Sequence, residues 1–220
     1  MVKIEKNFFN IKNLIPKNIK LLIVSKKQNT YSIKKLYKIG QKDFGENYIQ
    51  DIVKKYHNLP KDIRWHMIGN IQSNKLKYII PFIHLIHSVQ KLKHIKIINK
   101  IGLKYNKIVK CLLQIRISNE LNKSGIFYEK HEKIDFLLDF SKKMNNIKIL
   151  GLMGIASFKE MKIVENEFSC LNNLYNKYKI KYNFNILSMG MSRDFSSAIK
   201  YNTNMIRLGS SIFGKKNKIL

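Results

Sequence analysis

Eight short runs of branched aliphatic residues, each followed by a stretch with helical spacing or a turn, divide this chain from end to end. The first is IKLLIVSKK at 19–27, where Leu21 to Val24 form an apolar run that ends in Ser25 and Lys26. Phe44 and Gly45 mark a second, 63–68 a third, 83–89 a fourth and 108–117 a long fifth; 147–155, 184–188 and 205–208 complete the set. Apolar runs bounded by polar residues are the signature of strands buried on both faces, as in parallel sheets. Helical spacing is expected over 32–39, 46–56, 76–80, 92–101, 129–144, 164–178 and 194–199, after an amphipathic lead-in over 1–18 whose apolar side is Ile4, Phe8, Phe9 and Ile11.

Strands alternating with helices predict a parallel sheet, and eight of them predict a closed (β/α)8 TIM barrel in one domain spanning 1–220. An open doubly wound sheet is the alternative. Against it, the glycine-rich fingerprint of dinucleotide-binding sheets is absent after the first strand.

Charge is lopsided. The chain carries 42 Lys and Arg against 14 Asp and Glu, a net charge of +28. Such a field attracts polyanions, which brings nucleic acid into consideration. The only arginines are Arg64, Arg116, Arg193 and Arg207, the lysines are diffuse, and no nucleic-acid-binding motif accompanies them, so no specific nucleic-acid partner is expected. Cys111 and Cys170 stand far apart without a CxxC pair, which implies neither a disulfide framework nor a zinc site. The charged N-terminus leaves no room for a signal-peptide core, and the longest uncharged run, 78–90, is too short to span a bilayer. A cytoplasmic protein, kept monomeric by its charge, is the expectation.

In a barrel, chemistry collects at the C-terminal ends of the strands. Lys26 sits at such a lip, where apolar and cationic neighbours favour a neutral amine able to attack a carbonyl; the alternative is a solvated lysine, and Lys27 is its decoy. FGENYIQ at 44–50 offers Gly45 for a tight turn and the Asn47 amide, which both donates and accepts. WHMIG at 65–69 puts His66 and Trp65 on opposite faces, His66 either at the lip or filling core space. SMGMSRD at 188–194 and RLGSSIFG at 207–214 end in glycine and serine where helices could begin. Their free N–H groups and hydroxyls read either as a phosphate cup or as two capped helix starts. A lip lysine and a phosphate cup across one mouth suggest pyridoxal 5′-phosphate (PLP), whose aldehyde needs an amine.

LLIVSK, FGENYIQ, WHMIGNIQSNK, NKSGI, GLMGI, LSMGMSRDFSSAI and RLGSSIFG resemble, in order from Leu21 to Gly214, the signature segments of the pyridoxal phosphate homeostasis (YggS/PROSC) family. The resemblance implies a barrel like the N-terminal domain of alanine racemase, with PLP held as an aldimine on Lys26. It also implies a phosphate held around Ser192, Gly209 and Ser210, Arg207 facing the pyridine nitrogen, and Asn47 and His66 at the cofactor's edge. The lead-in is shorter than is usual in the family, Arg193 stands where an acid is common, and Ser210 where threonine is. Racemases of the related fold draw a second acid/base group from a C-terminal β domain, for which a chain ending at Leu220 leaves no room. The expected function is therefore holding, buffering or delivering PLP to apoenzymes; a small PLP-dependent racemase or lyase, or a lysine-rich nucleic-acid-binding protein, are the alternatives.

Overall fold

A computed structural model describes residues 3–120 and 123–214. It contains β1 (Lys20–Val24), β2 (Asp43–Glu46), β3 (Arg64–Met67), β4 (Leu85–Val89), β5 (Val109–Arg116), β6 (Ile126–Phe127), β7 (Ile147–Gly154), β8 (Ile186–Ser188) and β9 (Met205–Leu208). All pairings are parallel, and the order β4-β3-β2-β1-β9-β8-β7-β5 is closed by β4 pairing with β5, while β6 hangs on the end of β5. The eight expected strands thus form a closed (β/α)8 barrel, not an open sheet.

Helices α1 (Lys3–Leu14), α2 (Thr30–Lys38), α3 (Ile49–Asn58), α4 (Leu92–Lys104), α5 (His131–Lys142), α6 (Met161–Tyr182), α7 (Phe195–Lys200) and α8 (Ser210–Phe213) surround it. Where a helix is expected over 76–80, the chain makes a 3-10 helix, Ser73–Tyr78. Pro81 disfavours helical backbone at the residue before it, which leaves no length for an α-helix. The lead-in is α1, whose Phe8 is buried and whose Asn7 Nδ2 donates to the Ile212 carbonyl of α8 at 3.0 Å. The strand β6 and the single turn α8 are too short to show a period in the sequence.

Alternation along the strands sorts residues into layers. Leu21 and Ile23 pack outward against the helices, whereas Leu85, Leu112, Leu150, Met153, Ile186 and Met205 form a separate cluster. On β5 the side chains of Lys110, Leu112, Gln114 and Arg116 share one parity, so they climb a single face from the base of the barrel to its mouth. Gly151 breaks the parity of β7. Cys111 pairs with Ile149 but Leu113 with Leu152, so one extra residue sits on β7. Gly151 has φ +155, and a Cβ there would lie 1.8 Å from the Ile186 carbonyl oxygen. Among the described residues no helix is long and apolar enough to cross a membrane.

Candidate functional site at the barrel mouth

At the C-terminal ends of the strands lies a cleft of about 470 Å³. Val24 at the end of β1 and Lys26 beyond it, Asn47 after β2, Ile68 and Gly69 after β3, Gln114 and Arg116 of β5, Ile155 after β7, Met191 after β8 and Arg207 of β9 line it. Lys26, Asn47 and Arg207 are therefore brought together as expected.

Lys26 owes its position to a turn rather than to strand alternation. β1 stops at Val24, the Gln28 N–H donates to the Ser25 carbonyl at 3.0 Å, and Lys27 adopts φ 60. A left-handed residue in the third place of a tight turn sends Lys26 and Lys27 different ways, and only Lys26 lines the cleft. Its amine is exposed and has no hydrogen bond or ion pair among the described residues. Ser25 is clamped from beneath. Its hydroxyl donates to Glu46 Oε1 at 2.6 Å, and Lys55 Nζ donates both to that oxygen at 2.6 Å and to the Ser25 carbonyl at 2.9 Å. Burial pushes the Glu46 carboxyl above its ordinary range, against the pull of Lys55.

Asn47 and Gly69 meet where the second and third lips touch. A Cβ on Gly69 would fall 2.2 Å from the Asn47 carbonyl oxygen, so only glycine allows that approach. Across the mouth, the buried Arg207 donates from Nη1 to the Ser188 carbonyl at 2.8 Å and hydroxyl at 2.7 Å, and from Nη2 to the Gly154 carbonyl at 2.8 Å. Burial lowers its pKa to about 10, with Asp194 opposing, so the guanidinium stays charged at neutral pH. Asp194 accepts the Met191 N–H at 2.6 Å rather than pairing with Arg207.

The two glycine-serine loops do converge. The Gly209 and Ser211 N–H groups both donate to Ser192 Oγ, at 3.3 and 3.2 Å. Two backbone donors and a hydroxyl sharing one point suit a phosphate oxygen. Ser210 is exposed at the first position of α8.

His66 is not at the mouth. Arg64, His66 and Ile68 share one parity on β3, which places His66 one layer below Ile68, the residue that lines the cleft. The His66 ring is buried, with Nε2 3.0 Å from Asp43 Oδ1 and Nδ1 3.0 Å from His87 Nε2, and it lines a different cavity at the opposite end of the barrel. The expectation that it edges the cofactor site is corrected accordingly. Gln114 and Arg116 line the cleft although no motif singles them out; two polar residues at alternate positions near the end of an apolar strand are the signal that marks them. Lys123 and Ser124 of the NKSGI segment also line the cleft; Asn122 lies outside the described residues. Lys123 Nζ donates to the Ala156 carbonyl at 2.8 Å and lies 3.4 Å from Glu120. Among the described residues the lining thus holds Lys26, Arg116, Lys123 and Arg207 and no carboxylate, a surface that suits an anion.

Fold and site define a barrel of the alanine racemase N-terminal domain class, and residues 1–217 match the family described as "Alanine racemase, N-terminal domain". The pyridoxal phosphate homeostasis protein of Aquifex aeolicus is 34% identical over 201 residues, covering 90% of this chain and 87% of that protein. That of Buchnera aphidicola subsp. Schizaphis graminum is 34% identical over 224 residues, covering 100% and 96%. PipY of Synechococcus elongatus PCC7942, solved with PLP bound, superposes with a TM-score of 0.86 at 26% identity, covering 96% of this chain and 100% of that one. This chain belongs to the pyridoxal phosphate homeostasis protein family.

Proposed function

We propose that this protein binds PLP at the barrel mouth and serves in its homeostasis, holding and delivering the cofactor rather than catalysing turnover with it. The observation that carries the reading is a cleft that brings together Lys26, whose amine has no partner among the described residues, and the fixed Arg207 guanidinium. The two backbone N–H groups at Ser192 Oγ are not part of its lining and lie just past the lining residues Met191 and Arg207. Membership of the family, and the PLP bound to PipY, support it.

When bound, PLP supplies an aldehyde and an electron-withdrawing ring. The chain's own part is to hold these. Lys26 Nζ offers the amine, on a turn whose first peptide is clamped by Glu46 and Lys55. Ser192, Gly209 and Ser210 offer hydroxyls and N–H groups to the phosphate, and Asn47 packs at the edge. Arg207 faces the pyridine nitrogen in this reading. A charged guanidinium donates a hydrogen bond but gives up no proton at neutral pH, so the ring nitrogen stays unprotonated and a weak electron sink.

That quietness suits a carrier, as does a lining that among the described residues holds no carboxylate or histidine. Besides Lys26 and the arginines, Tyr48 and Lys123 are the titratable groups that line it among the described residues, and Lys123 is engaged by Ala156 and Glu120. Recipient apoenzymes, a monomeric state and a cytoplasmic location belong to the same reading. Purified protein mixed with PLP should gain a visible absorption band that Lys26→Ala lacks, with no consumption or racemisation of amino acids. Turnover of about 1 to 1,000 per second would instead make it a small PLP-dependent enzyme.

A further inference from the structure

The end of the barrel opposite the cleft holds a second cavity, of about 600 Å³, and a cluster of metal-ligating side chains that the cofactor reading does not use. From it we infer that Asp43, His66 and His84 form a binding site for a divalent transition-metal ion of the zinc class. The inference is independent of PLP.

Asp43 opens β2, His66 lies on β3, and His84 immediately precedes β4, so three adjacent strands deliver the three side chains side by side. One ligand atom from each lies within 4.8 Å of the others, and all three residues border the cavity. Tetrahedral bonds of about 2.0–2.1 Å place ligand atoms roughly 3.4 Å apart, so an ion needs shifts of about an ångström, not a rearranged backbone. Two imidazoles and a carboxylate, with a fourth position open to a cavity, are donors that suit Zn²⁺ or Co²⁺ better than Ca²⁺ or Mg²⁺.

The outer contacts fit as well. A ligating histidine ordinarily has its other nitrogen held by a neighbour, and His66 Nδ1 lies 3.0 Å from His87 Nε2. His87 is wholly buried, and its Nδ1 has no partner among the described residues. With His66 Nε2–H donating to Asp43, its Nδ1 accepts from His87. An ion on Nε2 reverses that bond: His66 carries its proton at Nδ1 and donates, while His87 carries its own at Nδ1, so neither ring gains or loses a proton overall.

Opposing charge is the main obstacle. Arg64 donates to Asp43 Oδ1 at 2.9 Å and to Oδ2 at 2.5 Å, and Lys12, Lys17, Lys20, Lys42 and Lys110 border the cavity. Arg64 is half exposed and can keep Oδ2 while yielding Oδ1. The lysines weaken a bare dication and favour an anionic fourth ligand in the open position.

The test uses untagged full-length protein stripped of metal, titrated with Zn²⁺ against a chromogenic chelator and with Co²⁺ by visible absorption. One ion per chain is expected, with an intense tetrahedral Co²⁺ spectrum and affinity reduced at least about 10-fold in both Asp43→Asn and His84→Gln. Zn²⁺ should raise the thermal midpoint of wild type more than that of H84Q, which reports binding even where the variant is less stable. Equal affinity in wild type and both variants, an octahedral Co²⁺ spectrum, or no binding at micromolar protein and metal overturns the site.

Discussion

Glu46→Ala tests the clamp under Lys26. The Glu46 side chain is fully buried and that of Lys55 only 10% exposed, so removing the carboxylate strands an ammonium whose remaining partner is the Ser25 carbonyl. Breaking one side of a buried ion pair costs about 3–5 kcal/mol. Against a total stability of about 5–15 kcal/mol, that is a large fraction. The pair is nevertheless not expected to be a net source of stability, because burial raises the Glu46 pKa despite Lys55: desolvation outweighs attraction. Replacing both partners, Glu46→Leu with Lys55→Met, should therefore cost far less than the single change. Urea unfolding of the three proteins measures this, with the slope checked for constancy. PLP titration should show weaker binding in Glu46→Ala as the Lys26 turn loosens. A single-variant cost below about 1 kcal/mol, or a double variant as unstable as the single, refutes the reasoning.

Gly209→Leu should weaken PLP more than pyridoxal, since a Cβ there already lies 3.3 Å from the Val24 carbonyl oxygen; equal loss of both ligands in calorimetric titration indicates general misfolding. Arg207→Gln should shift the nitrogen NMR signal of labelled PLP and, by removing donors from the Gly154 and Ser188 carbonyls, cost about 1–3 kcal/mol in unfolding; an unchanged signal means Arg207 is not the ring's partner. Burial, then Lys91 and Lys93, lowers His94 to about 4, below its usual 6.5. The unfolded chain then binds the extra proton between those values, so stability contributed at neutral pH is lost as pH falls from about 6.5 to 4. His94→Gln should flatten that part of the urea-midpoint profile, and an unaltered slope counts against it.

Much of the fold was legible because both faces of each barrel strand are buried, which writes strands as aliphatic runs such as LLIV and ILGLMGI. Period two also tells which side a residue faces. It does not tell height. His66 is expected at the cofactor's edge from the family resemblance, its residue pattern leaving lip and core open, and the structure puts it one layer deeper, a distance set by how the strands are staggered around the barrel. Bulges add to the difficulty: Gly151 changes the parity of β7 without any local break in hydrophobicity. Lys26 follows from its place just past the first apolar run, yet what selects it over Lys27 is the φ of 60 in the following residue, to which a run of lysines gives no clue. The clustering of Asp43 with His84 was invisible because those residues are 41 positions apart on strands joined only by the barrel.

The account rests on Lys26 as the amine that holds the cofactor. Purified protein loaded with PLP, reduced with borohydride and digested, can be mapped by mass spectrometry for the pyridoxyl group. The account predicts that group on Lys26 at about one per chain, and none in the corresponding peptide of Lys26→Ala. Labelling at Lys27, at Lys123, or spread over many lysines would contradict it.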